Sequence, residues 1–290
     1  MIGSILGGAF RLLRQHPLSV LVWSILYLVG IFAIGMLRIL ALPVEPQDPV
    51  TFLVAGLVSQ GLTLALIAVL ITAATRATLH PYKRGACYLR LGASEGRVFV
   101  LLALLAIASA VAMFLMVLAN GFVLSLFAWL VSGTVAVWIG VALLLAEVAG
   151  LVFVQVRLSI ALPLTYLYEA ITVDEAWAQS RGHFWAIFGA FFTIGLLLLV
   201  GWGLLISAFF APILADLSRT GLHGEALAQT LVMITIAGRS LPAIAQLALI
   251  TGSVILAALG FVLTTATLAS AARELLGLKE GQIEDLRRRR

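Results

Sequence analysis

The sequence predicts an all-α fold: a polytopic transmembrane bundle of about six spanning helices with short interfacial amphipathic helices. Three observations predict it. Hydrophobic residues make up 62% of the 290 and charged residues 11%, with a mean hydropathy of +1.15, whereas a soluble domain carries roughly a quarter charged residues. The apolar residues gather in tracts that meet the about 20 residues a bilayer core demands of a helix. The basic residues collect in alternate connectors, the pattern that orients membrane proteins. A chain of this length holds these spans as a single integral membrane domain over 1–290 and leaves no room for a large soluble one.

Residues 1–16 carry Arg11 and Arg14 among apolar side chains and read as an amphipathic lead-in lying at the membrane surface. Pro17 ends it and can open the first span, 18–40, because proline suits the first turn of a helix. That apolar run exceeds a signal-peptide core and no clean small-x-small cleavage site follows, so a retained helix is expected. Pro43, Pro46 and Pro49 with Glu45 and Asp48 make 41–50 a loop. The second span covers 51–75. Arg76, Lys83, Arg84, Arg90 and Arg97 then make 76–97 a basic connector. The third span covers 98–118, with a break expected at Asn120-Gly121. The fourth lies within 131–158, closed or kinked by Pro163. An amphipathic stretch, 171–183, precedes the fifth span, 185–210, which Pro212 is expected to stop. In the long connector 211–242, residues 225–237 place apolar side chains at helical spacing and predict an interfacial helix. The sixth span covers 243–269. The charged tail 271–290 ends in Arg287, Arg288, Arg289 and Arg290.

With the N-terminus inside, the cytoplasmic segments hold Arg11, Arg14, Arg76, Lys83, Arg84, Arg90, Arg97, Arg157, Arg181, Arg273, Lys279 and the four terminal arginines. Those are 15 of the 18 basic residues, leaving Arg38, Arg219 and Arg239 outside. Six spans, with both termini in the cytoplasm, satisfy that bias; five or seven would put the basic tail on the wrong side. A faint internal echo accompanies it. Ala9-Phe10, Arg14 and His16 precede the first span at the same offsets at which Ala176-Trp177, Arg181 and His183 precede the fifth. Shared interfacial chemistry explains the echo as well as duplication does.

Catalytic motifs are weak. Gly92-Ala93-Ser94-Glu95-Gly96 matches the G-x-S-x-G elbow, but that motif needs a preceding strand and a partner His. The simpler expectation is that Ser94 caps a helix and Glu95 suits its positive N-terminus. His16, His80, His183 and His223 fall in no metal-ligand spacing, and no glycine-rich run precedes Lys83 or Lys279. No catalytic residue, cofactor, metal or nucleic-acid partner is expected. Cys87, the sole cysteine, reads as a small apolar filler.

Glu147 is the candidate intramembrane polar site, deep in the fourth span, where an ionised side chain costs several kcal/mol or more. It is expected to bind a proton, an ion or a polar partner, or, protonated or hydrogen-bonded, to hold two helices together through a Ser, Thr or Asn of a neighbouring span. Arg157 lies ten residues later, about 15 Å along a helix. It is expected to mark the cytoplasmic interface and snorkel toward phosphates, with Gln155 in the same zone. Arg38 is expected to snorkel at the outer end, or to pair with Glu45 or Asp48. Arg157, Trp177, Arg181, His183, Trp185 and Arg287–Arg290 together form the candidate cytoplasmic face for lipid or a protein partner. Basic clusters beside spans attract anionic lipids at about 1 kcal/mol per charge. Ala248, Gly252 and Gly260 allow close helix approach in the sixth span.

Two stretches carry a resemblance. One is Val156-Arg157-Leu158-Ser159-Ile160-Ala161-Leu162-Pro163 with Ala176-Trp177-Ala178-Gln179-Ser180-Arg181-Gly182-His183-Phe184-Trp185. The other is Arg76-Ala77-Thr78-Leu79-His80-Pro81 with Tyr88-Leu89-Arg90-Leu91-Gly92. They resemble the membrane domain attached to some glycerophosphoryl diester phosphodiesterases and similar stand-alone bacterial multi-span proteins. The resemblance implies a six-helix membrane domain with cytoplasmic ends. It does not imply hydrolysis, because the catalytic barrel of those enzymes is a separate domain that this chain does not contain. The expected role is non-enzymatic: a bacterial inner-membrane scaffold or accessory subunit of an assembly, or an organiser of anionic lipid. Transport through Glu147, with Asn120 and Gln155 as helpers, is the first alternative, and a lipid-acting membrane enzyme the next.

Overall fold

The computed structural model describes residues 1–41, 49–79, 86–130, 133–220 and 224–277. These form ten α-helices, α1 (Ile2–Gln15), α2 (Pro17–Ala41), α3 (Pro49–Leu79), α4 (Ala93–Leu130), α5 (Gly133–Ser159), α6 (Ala161–Tyr168), α7 (Val173–Gln179), α8 (Phe184–Thr220), α9 (Gly224–Ser240) and α10 (Ala243–Leu275), with a 3-10 turn at Ala86–Tyr88. No strand occurs among the described residues. Six stretches are long and apolar enough to cross a bilayer: Pro17–Leu40, Val50–Leu79, Ala93–Phe127, Val137–Tyr168, Phe184–Ala215 and Ala243–Leu275. The chain is thus an all-α, multi-pass membrane protein. The connector 42–48, with Glu45 and Asp48, and the tail from 278 onward, with Arg287–Arg290, lie outside the described residues. So do His80, Lys83, Arg84 and His223.

The core sits at one end of the bundle, called proximal here. There α1 lies on the C-terminal part of α10, and Ser4 donates a hydrogen bond of 2.7 Å to Glu274. Ile5, Ala9 and Leu12 recur at intervals of four and three, which puts them on one face of α1, and all three are buried. Gly8 permits the contact: a Cβ there would stand 2.5 Å from Ser270 Oγ. The second amphipathic helix, α7, buries Ala176. Ala9 and Ala176, the alanines of the sequence echo, therefore both face inward at 0% exposure.

Helix α6 plugs this end. Every residue from Ala161 to Leu167 is buried, as expected of a short helix that is apolar all round. They pack among Leu79 of α3, Val98 and Leu101 of α4, Ile187 of α8 and Leu268 of α10. The chain breaks at Ile160, between α5 and α6, so Pro163 occupies an early position of α6, where its missing N–H costs least. Glu169 ends α6 in a left-handed conformation, φ 54°.

Three boundary expectations need correction. Asn120-Gly121 does not break the chain: α4 runs unbroken over 38 residues. A helix-interior glycine costs only about 1 kcal/mol, the apolar run 122–130 continues the helix, and Asn120 has found a partner across the hairpin. Pro212 is a stop only in part. Regular helix is interrupted at Phe210, the predicted end of the fifth span, where φ −125° and ψ 22° are non-helical, but a second helical segment with Pro212 in its first turn runs on to Thr220. Ser94 is not the cap of α4. The Gly96 amide donates to Gly92 O at 3.2 Å, which makes Gly92 the capping residue and places Ser94 in the first turn. A helix is present over the predicted 225–237, as α9.

Candidate functional site

Glu147 meets Asn120. The Asn120 side-chain amide donates to Glu147 Oε2 at 2.6 Å, joining α4 to α5, and both residues are half-buried. The pair sits toward the hairpin that connects the two helices. Nearby, Gly140 lets Leu124 approach so closely that an added Cβ would stand 3.1 Å from Leu124 Cδ2. Of the two readings of Glu147, the arrangement builds the helix-to-helix one. An Asn supplies the hydrogen bond that a carboxyl group in an apolar setting requires.

Arg157 is turned inward. Its exposure is 8%. Nε donates to Ser180 Oγ at 3.1 Å and Nη2 to the Trp177 carbonyl at 2.7 Å. The guanidinium lies 3.8 Å from the centre of the Trp177 ring and 5.4 Å from that of Phe153. Arg157 therefore ties α7 to α5 and does not snorkel to headgroups, which corrects the expectation for it. A planar guanidinium can stack on an indole and donate sideways at once, which a lysine cannot.

Arg181, His183 and Trp185 lie at the turn between α7 and α8, and all three are exposed, Trp185 at 76%. Gly182, at φ 83°, lets the chain turn there. The side chains of Arg181 and His183 make no hydrogen bond or ion pair among the described residues. Trp185 stands edge-on to Phe184 and Phe188, with ring centres 5.2 and 6.0 Å away, and Phe188 stacks further along α8 on Phe192 at 5.9 Å. Arg11, Arg14 and Arg90 are exposed at the same proximal end. The predicted face thus divides. Arg157 and Trp177 are internal, Arg181, His183 and Trp185 form an outward rim, and Arg287–Arg290 lie outside the described residues. Arg38 is exposed near the end of α2, while both of its proposed carboxylate partners fall outside the described residues.

A second internally bonded arginine, half-buried, went unrecognised in the sequence. Arg76, at the end of α3, donates through Nη2 to Glu95 Oε1 at 2.5 Å, through Nη1 to the Tyr88 carbonyl at 2.5 Å and through Nε to Tyr166 Oη at 3.4 Å. It joins α3, the 3-10 turn, α4 and α6. The available signal was a basic residue closing one span and an acid opening the next across a short connector. Ser94 donates to Glu95 Oε2 at 3.0 Å, so this serine serves the ion pair, and among the described residues it has no bond to a histidine. Cys87 is no simple filler. Cys87 and Tyr88 both hold positive φ, 51° and 62°, and the Cys87 carbonyl accepts the indole N–H of Trp23 at 2.8 Å.

Among the described residues no three His, Cys, Asp or Glu side chains converge as metal ligands would. What the arrangement offers chemically is hydrogen-bonded helix ties inside and a basic, aromatic rim outside. No protein-family model matches the chain, and neither the curated proteins nor the solved structures contain a significant match to it.

Proposed function

We propose that this is a non-enzymatic protein of the bacterial cytoplasmic membrane, with both termini in the cytoplasm, that gathers anionic lipid at its proximal end and serves as a scaffold or accessory subunit of a membrane assembly. The observation that carries this reading is the rim of Arg181, His183 and Trp185, exposed and without charge partners among the described residues. Arg76 and Arg157, by contrast, are consumed in structural ties. Cation and indole at one turn suit the headgroup layer, where aromatic rings sit at the interface and each nearby cation contributes about 1 kcal/mol toward anionic lipid. The excess of Lys and Arg on that side supports the orientation. The resemblance to the phosphodiesterase-attached membrane domain supports the same topology.

The test is extraction of the full chain into polymer nanodiscs, followed by mass spectrometry of the lipids and proteins that come with it. Anionic phospholipid should be enriched above bulk membrane. Replacing Arg181 and Arg287–Arg290 by Gln should return it toward the bulk ratio, a change of several-fold. Equal enrichment in parent and variant would overturn the lipid reading, and a stoichiometric protein partner would identify the assembly.

A further inference from the structure

Asn120 and Glu147 spend only part of their bonding capacity on each other. One amide N–H of Asn120 donates to Glu147 Oε2. The other Asn120 N–H and Glu147 Oε1 have no partner among the described residues, and both side chains are half-buried. Apart from Glu147, no charged residue stands between Arg97 and Arg157. The open side of the pair therefore faces hydrocarbon in a bilayer, which offers neither donor nor acceptor. An acyl chain cannot complete the pair; a polar side chain on another protein helix can. The approach is clear. A Cβ added at Gly150, one turn beyond Glu147 on α5, would meet nothing within 4 Å, and in the most apolar window of Val137–Tyr168 no residue is buried.

The unused atoms are one donor and one acceptor on neighbouring side chains. That is what an isologous contact requires, because the same patch must serve both partners. We propose that two copies of this chain pair through the α4/α5 hairpin about a twofold axis along the membrane normal. The free Asn120 N–H of each copy donates to Glu147 Oε1 of the other, and Gly150 lets the helices come close enough. A different protein would need a donor and an acceptor at matching spacing and depth, whereas a second copy carries both at the same depth. Leu144, about 120° round α5 from Gly150, and Leu115, about 140° round α4 from Asn120, stay against lipid. The rim of Arg181, His183 and Trp185 takes no part, so this pairing goes beyond the lipid reading and does not depend on it.

The test counts copies in a bilayer without anionic lipid. Full-length protein, dye-labelled at Cys87, its only cysteine, is reconstituted in phosphatidylcholine vesicles and read by single-molecule photobleaching over a range of protein-to-lipid ratios. Two-step traces should increase with protein density. Asn120→Leu removes both hydrogen bonds between the copies and should raise the density of half-dimerisation about tenfold. Glu147→Gln keeps an acceptor for Asn120 and a free polar group, and should dimerise as the parent does. Gly150→Leu leaves the Asn120–Glu147 bond intact and adds bulk where the single chain has open space. It should weaken pairing by a similar factor, which separates lost contact from lost folding. Single-step bleaching at every density would overturn the proposal. Two-step bleaching indifferent to Asn120→Leu and Gly150→Leu would do so too, by moving the contact to another face. A different protein that co-extracts in nanodiscs and is lost in both variants would overturn the second copy as occupant. None of these outcomes bears on the rim, and failure of the rim variants leaves the pairing standing.

Discussion

Asn120 and Glu147, 27 positions apart, meet inside an apolar hairpin, and their bond can be measured on its own. Hydrogen bonds between spans contribute about 0.6 to 2 kcal/mol. Glu147→Gln keeps an acceptor for Asn120 and should leave unfolding in a detergent titration almost unchanged. Glu147→Leu strands the Asn120 amide and should destabilise by about that amount, with Asn120→Leu in the double mutant recovering part of the loss. Equal damage from Gln and Leu would show that the Asn120 bond is not what Glu147 contributes to stability. At this scale the sequence was half legible. An acid among twelve apolar neighbours identifies itself, and its class of partner follows from chemistry. Which asparagine, and whether Arg157 points in or out, depends on the rotation of each helix about its axis. Tracts that are apolar on every side leave that rotation unmarked.

The elements show where propensity yields to context. Glycine and asparagine at 120–121 signal a turn in isolation, yet α4 continues for 38 residues. Proline at 212 signals a stop, and regular helix is interrupted at Phe210, yet helical structure resumes and runs on to Thr220. The short helix α7 depends on packing for its existence, because seven residues are too few to be helical alone. Arg157 supplies the packing. Arg157→Leu removes two hydrogen bonds and a stacked cation at 3.8 Å, worth about 2–3 kcal/mol together. The expected outcome is release of α7, read as faster proteolytic cleavage at the turn 180–183 and a red shift in tryptophan emission. Arg157→Lys should fall between parent and Leu variant. Unchanged cleavage in the Leu variant would show that α7 is held by other contacts. All six spans were legible because length and hydropathy suffice for them, but half of their ends miss by five to ten residues, since the helices run on beyond the apolar tracts. The inward face of α7 was not, since its partner lies on another helix.

In the whole molecule, burial is lopsided. The proximal end holds α1, α6, α7 and all three core clusters, whereas in Val137–Tyr168 none of the most apolar window is buried within the protein. The same substitution should therefore have unequal consequences at the two ends. Leu164→Ala, at a site with 0% exposure, should cost about 2–5 kcal/mol. Leu115→Ala and Leu144→Ala, at sites exposed 58% and 55%, should cost about 0.5 kcal/mol or less. Detergent unfolding curves decide it, and similar losses at both ends would mean that the distal halves are covered by another copy or a partner.

The left-handed pair Cys87-Tyr88 has a practical consequence. The backbone carbonyl of Cys87, not its sulfur, receives the Trp23 indole, and the thiol belongs to the only cysteine in the chain. The unmodified protein thus carries a single attachment point for a spin label or dye, part-exposed at the seam between α2 and the connector that leads to α4. A nitroxide there would read the seam's distance to a lipid probe without any engineered cysteine, and Trp23 emission would report at once if the label had disturbed it.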